Sequence, residues 1–138
     1  MEYSVRVLVL DERVYKGKQR MYVSVADGIG VIKIIGKNLS MLGVYDVQIK
    51  KGRNLYYLLE AEPIQDYSYI LRNPIVVESY SRIYKVITDT WPQNGDLYSR
   101  MLKVITRLER EPQTTYSLLQ NILTEDTDTE ELLAALTS

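Results

Sequence analysis

The sequence predicts an α+β fold in which a small five-stranded β-barrel comes first and a small α-helical bundle follows. Two observations lead to this prediction. Apolar residues alternate with polar ones in short runs between residues 3 and 64, and glycine-bearing turns separate the runs. From about residue 74 onward, the apolar residues recur instead at the three- and four-residue spacing of helices. We therefore expect a barrel domain over residues 1–66 and a helical domain over residues 67–138.

The strands are predicted from alternation and from β-branched residues, which suit a half-buried sheet. Asp27 and Gly28 give the turn of a β-hairpin, and a charged segment with one glycine links the first strand to it. In chain order, the predicted strands are Tyr3–Leu10, the two arms of the hairpin within Arg20–Lys37, Tyr45–Lys51 and Leu55–Ile64.

The alternation also predicts which side chains face the interior of the barrel. Arg20 and Tyr22 are expected to face outward on the first arm of the hairpin, with Lys33 and Lys37 on the same side of the return arm. The residues expected inside are Val5, Val7, Val9, Met21, Val23 and Val25.

The helical half begins at a clear start signal. Asn73 is expected to cap a helix over Pro74–Thr90, because proline suits the first helical position. Trp91 and Pro92 end that helix, and we expect Trp91 to be buried. Further helices are predicted from Asp96 to about residue 111, around Tyr116–Leu123, and from Thr129.

Composition removes several classes of function. The 138 residues include no cysteine and no histidine, which excludes disulfides, zinc-thiolate sites and catalysis by Ser-His or Cys-His pairs. No nucleotide-binding glycine loop is present, and the carboxylate pairs form no convincing acid-base site. We therefore expect a protein that is not an enzyme and uses no cofactor or metal. The sequence shows no signal peptide or membrane span, so a cytoplasmic location is expected.

The charges are distributed unevenly along the chain. Residues 1–53 hold ten Lys/Arg and five Asp/Glu, a balance of +5, whereas residues 54–138 hold seven and thirteen, a balance of -6. A basic half can bind a phosphate backbone, and tyrosines within it offer surfaces on which unpaired bases stack. The predicted DNA-binding residues are Arg13, Lys16, Lys18, Arg20, Tyr22, Lys33, Lys37, Lys50, Lys51 and Arg53. Tyr15 and Tyr45 are further possible stacking surfaces.

Two long segments carry a family resemblance by the order and spacing of their motifs. They read VLVLDERVYKGKQRMYVSVADGIGVIKIIGK and VQIKKGRNLYYLLEAEPIQDYSYILRNP. Together with the helices that follow, they resemble the RecO family of bacterial recombination-mediator proteins. This resemblance implies an OB-fold barrel, binding and annealing of single- and double-stranded DNA, a nucleoid-associated location, and partnership with RecR-like and single-stranded-DNA-binding proteins.

The chain departs from that family in two respects. It lacks the four-cysteine zinc site often found in the helical part, and the family's alanine-lysine-glycine loop appears as Ile35-Gly36-Lys37. The resulting hypothesis is a short RecO-like, non-enzymatic accessory protein of DNA recombination and DNA repair, which helps to load the recombinase. The alternative is a protein-interaction module that docks a partner and does not bind DNA. DNA binding predicts steep salt dependence, and protein docking predicts none.

Overall fold

The computed structural model describes residues 1–90, 93 and 95–112. The predicted α+β class is confirmed, since five strands precede two α-helices in this part of the chain. Trp91 and the predicted third and fourth helices lie outside the described residues. In chain order, the elements are β1 (Glu2–Val14), β2 (Arg20–Ala26), β3 (Gly30–Gly36), β4 (Gly43–Lys51), β5 (Tyr56–Asp66), a 3-10 helix (Ser68–Arg72), α1 (Pro74–Thr90) and α2 (Leu97–Arg110).

The five strands form one sheet that closes on itself in the order β1-β2-β3-β5-β4. The long strand β1 closes the ring, because its second half pairs with β2 and its first half pairs with β4, both antiparallel. Strands β3 and β5 pair in parallel at only two positions, Ile34 with Tyr56 and Ile35 with Tyr57. The ring is therefore most weakly joined between β3 and β5.

Strand β1 is longer than its sequence pattern predicts. A register shift between Val9 and Asp11 leaves Leu10 as the extra residue of a bulge, and the strand then continues to Val14 beside β2. The bulge explains why the alternation seemed to end at Leu10. The predicted connecting loop shortens to five residues, in which Gly17 has a φ of 55°.

The interior of the closed sheet holds a different face of β2 from the one predicted. Tyr22 and Ala26 lie inside, whereas Met21, Val23 and Val25 alternate with them and face away, so the predicted interior positions of these three residues are wrong. Alternation fails here because both faces of β2 are largely buried. On β1, the interior positions of Val7 and Val9 are confirmed, and Val5 packs against them.

The helices pack on the outside of the sheet and share one hydrophobic cluster with it. Leu8 of β1, Val25 of β2 and Val44 of β4 contribute to this cluster from the sheet side. The helical contribution is Val76, Tyr80, Ile83 and Ile87 of α1, with Leu97, Tyr98, Met101, Val104, Ile105 and Leu108 of α2.

The start and the anchoring of α1 are well defined. The Asn73 side chain accepts a hydrogen bond of 3.0 Å from the N–H of Ile75, which confirms Asn73 as the cap of a helix over Pro74–Thr90. From the middle of α1, the Tyr80 hydroxyl donates a 2.5 Å hydrogen bond to the carbonyl oxygen of Leu10. The bulge residue of β1 therefore also holds the first helix against the sheet.

Candidate nucleic-acid interface

One end of the sheet gathers most of the predicted basic residues. Arg20 of β2 pairs with Gly36 of β3. Ile35, the residue before Gly36, pairs with Tyr57 of β5, and Tyr57 in turn pairs with Lys50 of β4. These pairings form a row across four strands, which we call the basic end of the sheet. The β1–β2 loop and the β4–β5 turn both emerge here, and the helices pack nearer the other ends of β2 and β4.

Eight of the predicted residues lie on the strand ends, loop and turn of the basic end. Lys33 lies on β3 three residues before Gly36, about 10 Å along the strand, and it is exposed. The eight residues at the basic end are Arg13, Lys16, Lys18, Arg20, Lys37, Lys50, Lys51 and Arg53.

Two of these cations are partly neutralised by acidic residues of β1. The Nε atom of Arg13 lies 3.1 Å from Oδ2 of Asp11, and this hydrogen bond raises the pKa of Arg13. The Nε atom of Arg20 lies 3.5 Å from Oε1 of Glu12. Seven of the predicted cations, six at the basic end and Lys33 beside it, are exposed and form no ion pair within the described part of the chain: Lys16, Lys18, Lys33, Lys37, Lys50, Lys51 and Arg53.

Tyr22 does not offer the outward stacking surface that the sequence predicts. Its side chain is 1% exposed inside the closed sheet, and its hydroxyl accepts a 3.2 Å hydrogen bond from the N–H of Leu39. Burial raises the pKa of Tyr22. Tyr45 is also buried, and its hydroxyl accepts a hydrogen bond from the N–H of Ser40. Both rings therefore support the β3–β4 connection and present no free face to a base.

Two other tyrosines are exposed at the basic end. Tyr15 is 36% exposed in the β1–β2 loop, where the Nζ atom of Lys16 lies 5.5 Å from its ring centroid. Tyr57 is 44% exposed near the start of β5. These two rings, and not Tyr22, are available for stacking on unpaired bases.

Tyr57 was missed by sequence reasoning, although its position after the basic β4–β5 turn was a usable signal. Its ring lies against the backbone of Gly52, where an added Cβ would approach Cε2 of Tyr57 to 2.6 Å. The missing side chain at position 52 therefore allows the ring to lie across the turn.

A groove of about 750 Å³ runs from the basic end along β5. Lys18 of the β1–β2 loop and Lys37 after β3 form part of its wall, and Tyr57 lies among its lining residues. Glu60 and Ala61 of β5 also border this groove. Two ammonium groups and an exposed aromatic ring are suited to binding a nucleotide with an unpaired base.

The part of the chain that the structure describes holds no group of three or more acidic residues arranged to bind a metal ion. None of its helices has the length and apolar character required to cross a membrane. Comparison with protein-family models finds no match to the chain, and a search of curated proteins finds none either.

Proposed function

We propose that the closed sheet is an OB-fold and that the protein is a non-enzymatic DNA-binding accessory protein of the RecO type. The observation that carries this proposal is the gathering of exposed cations and tyrosines at and beside one end of a closed five-stranded sheet. OB-folds bind oligonucleotides through the face of strands 2 and 3 and through the β1–β2 and β4–β5 loops. In this chain, those loops carry Lys16, Lys18 and Arg53.

Single strands are the form of DNA that this surface suits best. Lysine and arginine side chains neutralise phosphates without reading the sequence. Tyr15 and Tyr57 stack on bases only where the bases are unpaired, because paired bases hide their faces within the duplex. Binding therefore depends strongly on strandedness and weakly on base identity.

The cellular role in this proposal is recombinational DNA repair. In this proposal the protein holds single strands by their phosphates, assists annealing and recombinase loading, and acts beside RecR-like and single-stranded-DNA-binding proteins. This role follows from the resemblance of the chain's motifs to the RecO family, whereas DNA binding is argued from the placement of its charges.

Fluorescence anisotropy of a labelled single-stranded oligonucleotide, titrated at several salt concentrations, tests the proposal. Each contacted phosphate contributes about -0.7 to the slope of log K against log salt, so contacts by most of the unpaired cations give a slope of about -3 to -5. Weak binding with no salt dependence would contradict the proposal and favour the protein-interaction module.

A further inference from the structure

Strand β5 has a long edge without a partner in the described chain. It contains eleven residues and pairs with β4 from Tyr56 to Asp66, but with β3 only at Tyr56 and Tyr57. No described turn or loop forms a backbone hydrogen bond with residues 58–66. We call this stretch the β5 edge, and its length is about 30 Å.

The β5 edge is exposed on both faces. Every residue from Leu59 to Asp66 is exposed, and the apolar side chains of Leu59 and Ile64 are 45% and 41% exposed. An exposed strand edge with unpaired N–H and C=O groups is a template for the addition of another strand.

The outer face of the β5 edge carries two carboxylates without ion-pair partners in the described residues. Glu60 and Glu62 lie on this face about 7 Å apart, because residues two apart on a strand share a side. Asp46, opposite Glu62, is already bound by Arg6 through hydrogen bonds of 2.7 and 2.9 Å. The two glutamates are therefore the acidic groups available to a partner here.

The other face of the β5 edge opens into the groove. Ala61 and Pro63 alternate with the glutamates and line this groove together with Tyr45. Their small side chains leave space beside the strand for apolar side chains of moderate size. Lys18 and Lys37 lie on the groove wall, so a cationic side chain is disfavoured on this face.

We propose that the β5 edge binds an extended peptide of a partner protein, which adds to the sheet as a further strand. Lysine or arginine residues at alternate positions of the peptide face Glu60 and Glu62. The apolar residues between them enter the groove beside Ala61 and Pro63. Backbone hydrogen bonds supply affinity, and the alternating pattern supplies specificity. This inference does not depend on DNA binding at the basic end.

A basic partner fits this edge better than a second copy of the chain or a nucleic acid. Antiparallel pairing of two β5 strands about Ala61 places Glu60 opposite Glu62, and like charges directly opposite each other destabilise a strand pair. Glutamate carboxylates repel phosphates, which disfavours DNA along this stretch.

A fluorescein-labelled nine-residue peptide of alternating valine and lysine is a suitable probe for the full chain. We expect saturable binding that protects the amides of residues 58–66 from hydrogen exchange. The double variant Glu60→Lys/Glu62→Lys should weaken binding about tenfold or more, since each replacement sets a like charge opposite the peptide. Both glutamates are exposed, so folding should be retained.

Matched controls separate strand addition from general charge attraction. Glu78→Lys/Asp89→Lys on α1 makes the same charge change at exposed positions and should leave peptide binding within about twofold.

A peptide that is N-methylated at alternate residues keeps its charge but loses backbone N–H donors, and it should not bind. The proposal would be overturned if the valine-lysine peptide did not bind or if the N-methylated peptide bound equally well. It would also be overturned if the two double variants lost the same peptide affinity. Weaker DNA binding in Lys16→Gln/Arg53→Gln, whose exposed side chains lie outside the groove, with peptide binding retained would separate the two sites.

Discussion

The backbone N–H of Leu39 donates a 3.2 Å hydrogen bond to the hydroxyl of Tyr22 inside the closed sheet. This bond joins β2 to the connection between β3 and β4, where Asn38 has a φ of 70°. Leu39 itself is buried in the same cluster as Tyr22. The Tyr22 ring therefore fills the interior of the sheet. Its hydroxyl also gives the buried N–H of Leu39 an acceptor, which this N–H lacks otherwise because the β3–β4 connection is not part of a strand or helix.

Replacement of Tyr22 should reduce stability and not act on DNA contacts directly. Tyr22→Ala leaves a cavity and an unpaired N–H, so we expect the free energy of unfolding to fall by about 3–5 kcal/mol. Tyr22→Phe removes only the hydroxyl and should cost about 1–3 kcal/mol, because the Leu39 N–H then has no acceptor. Urea denaturation measures both values. An unchanged midpoint for Tyr22→Ala, with oligonucleotide affinity reduced, would contradict this assignment.

Tyr57 should contribute to the binding of single-stranded DNA. We expect Tyr57→Ala to lose about 1–3 kcal/mol of binding free energy for a single-stranded oligonucleotide, and much less for a duplex of the same sequence. Tyr57→Phe should retain most of the affinity, because the phenyl ring still stacks. Anisotropy titrations at one salt concentration measure these differences.

Tyr69→Ala is the matched control for Tyr57→Ala. Tyr69 is 41% exposed, but it lies in the 3-10 helix and its hydroxyl donates to Glu109 of α2. The hydrogen bond to Glu109 raises the pKa of Tyr69 to about 12. Equal losses of affinity in Tyr57→Ala and Tyr69→Ala would count against a specific stacking site at the basic end.

The ion pair between Arg6 and Asp46 should make stability depend on pH. In the folded protein, the hydrogen bond from Arg6 holds the pKa of Asp46 below its ordinary value of 3.8. The pair therefore contributes stability above pH 3.8, and this contribution is lost as the pH falls through the lowered pKa. Arg6→Gln should be less stable than the unmodified protein at about pH 7, and the difference should shrink by about pH 2.

Urea denaturation at the two pH values checks this dependence on Arg6. Because both side chains are exposed, added salt should also reduce the difference at neutral pH. A stability difference that is the same at both pH values would show that Arg6 stabilises the sheet through packing and not through Asp46.

Sequence reasoning predicted the helix start at Asn73 and the five strands because those signals are local. It predicted the wrong face of β2 to lie inside the sheet. The helices cover the outer face, so valines are suitable on either face of this strand. It also named Arg13 and Arg20 as DNA-binding residues without predicting the acidic partners that each has in the structure. Their acidic partners on β1 come into place only because the bulge at Leu10 extends that strand to Val14.

Tyr57 shows a further limit of reading the sequence alone. Its exposure depends on how β5 crosses the basic end and on the contact of its ring with Gly52, and neither follows from local alternation. The β5 edge was missed for a related reason. Only the register of β3 with β5 reveals that their pairing ends after Tyr57.

The salt dependence of DNA binding in a double variant of the groove tests the central claim most directly. Lys18→Gln/Lys37→Gln removes two exposed cations that line one groove, so the slope of log K against log salt should become shallower by about 1–2 units. Arg72→Gln/Lys85→Gln removes the same charge from exposed positions of the helical half and should leave the slope unchanged. Equal slopes for all three proteins would contradict phosphate binding at the basic end of the sheet.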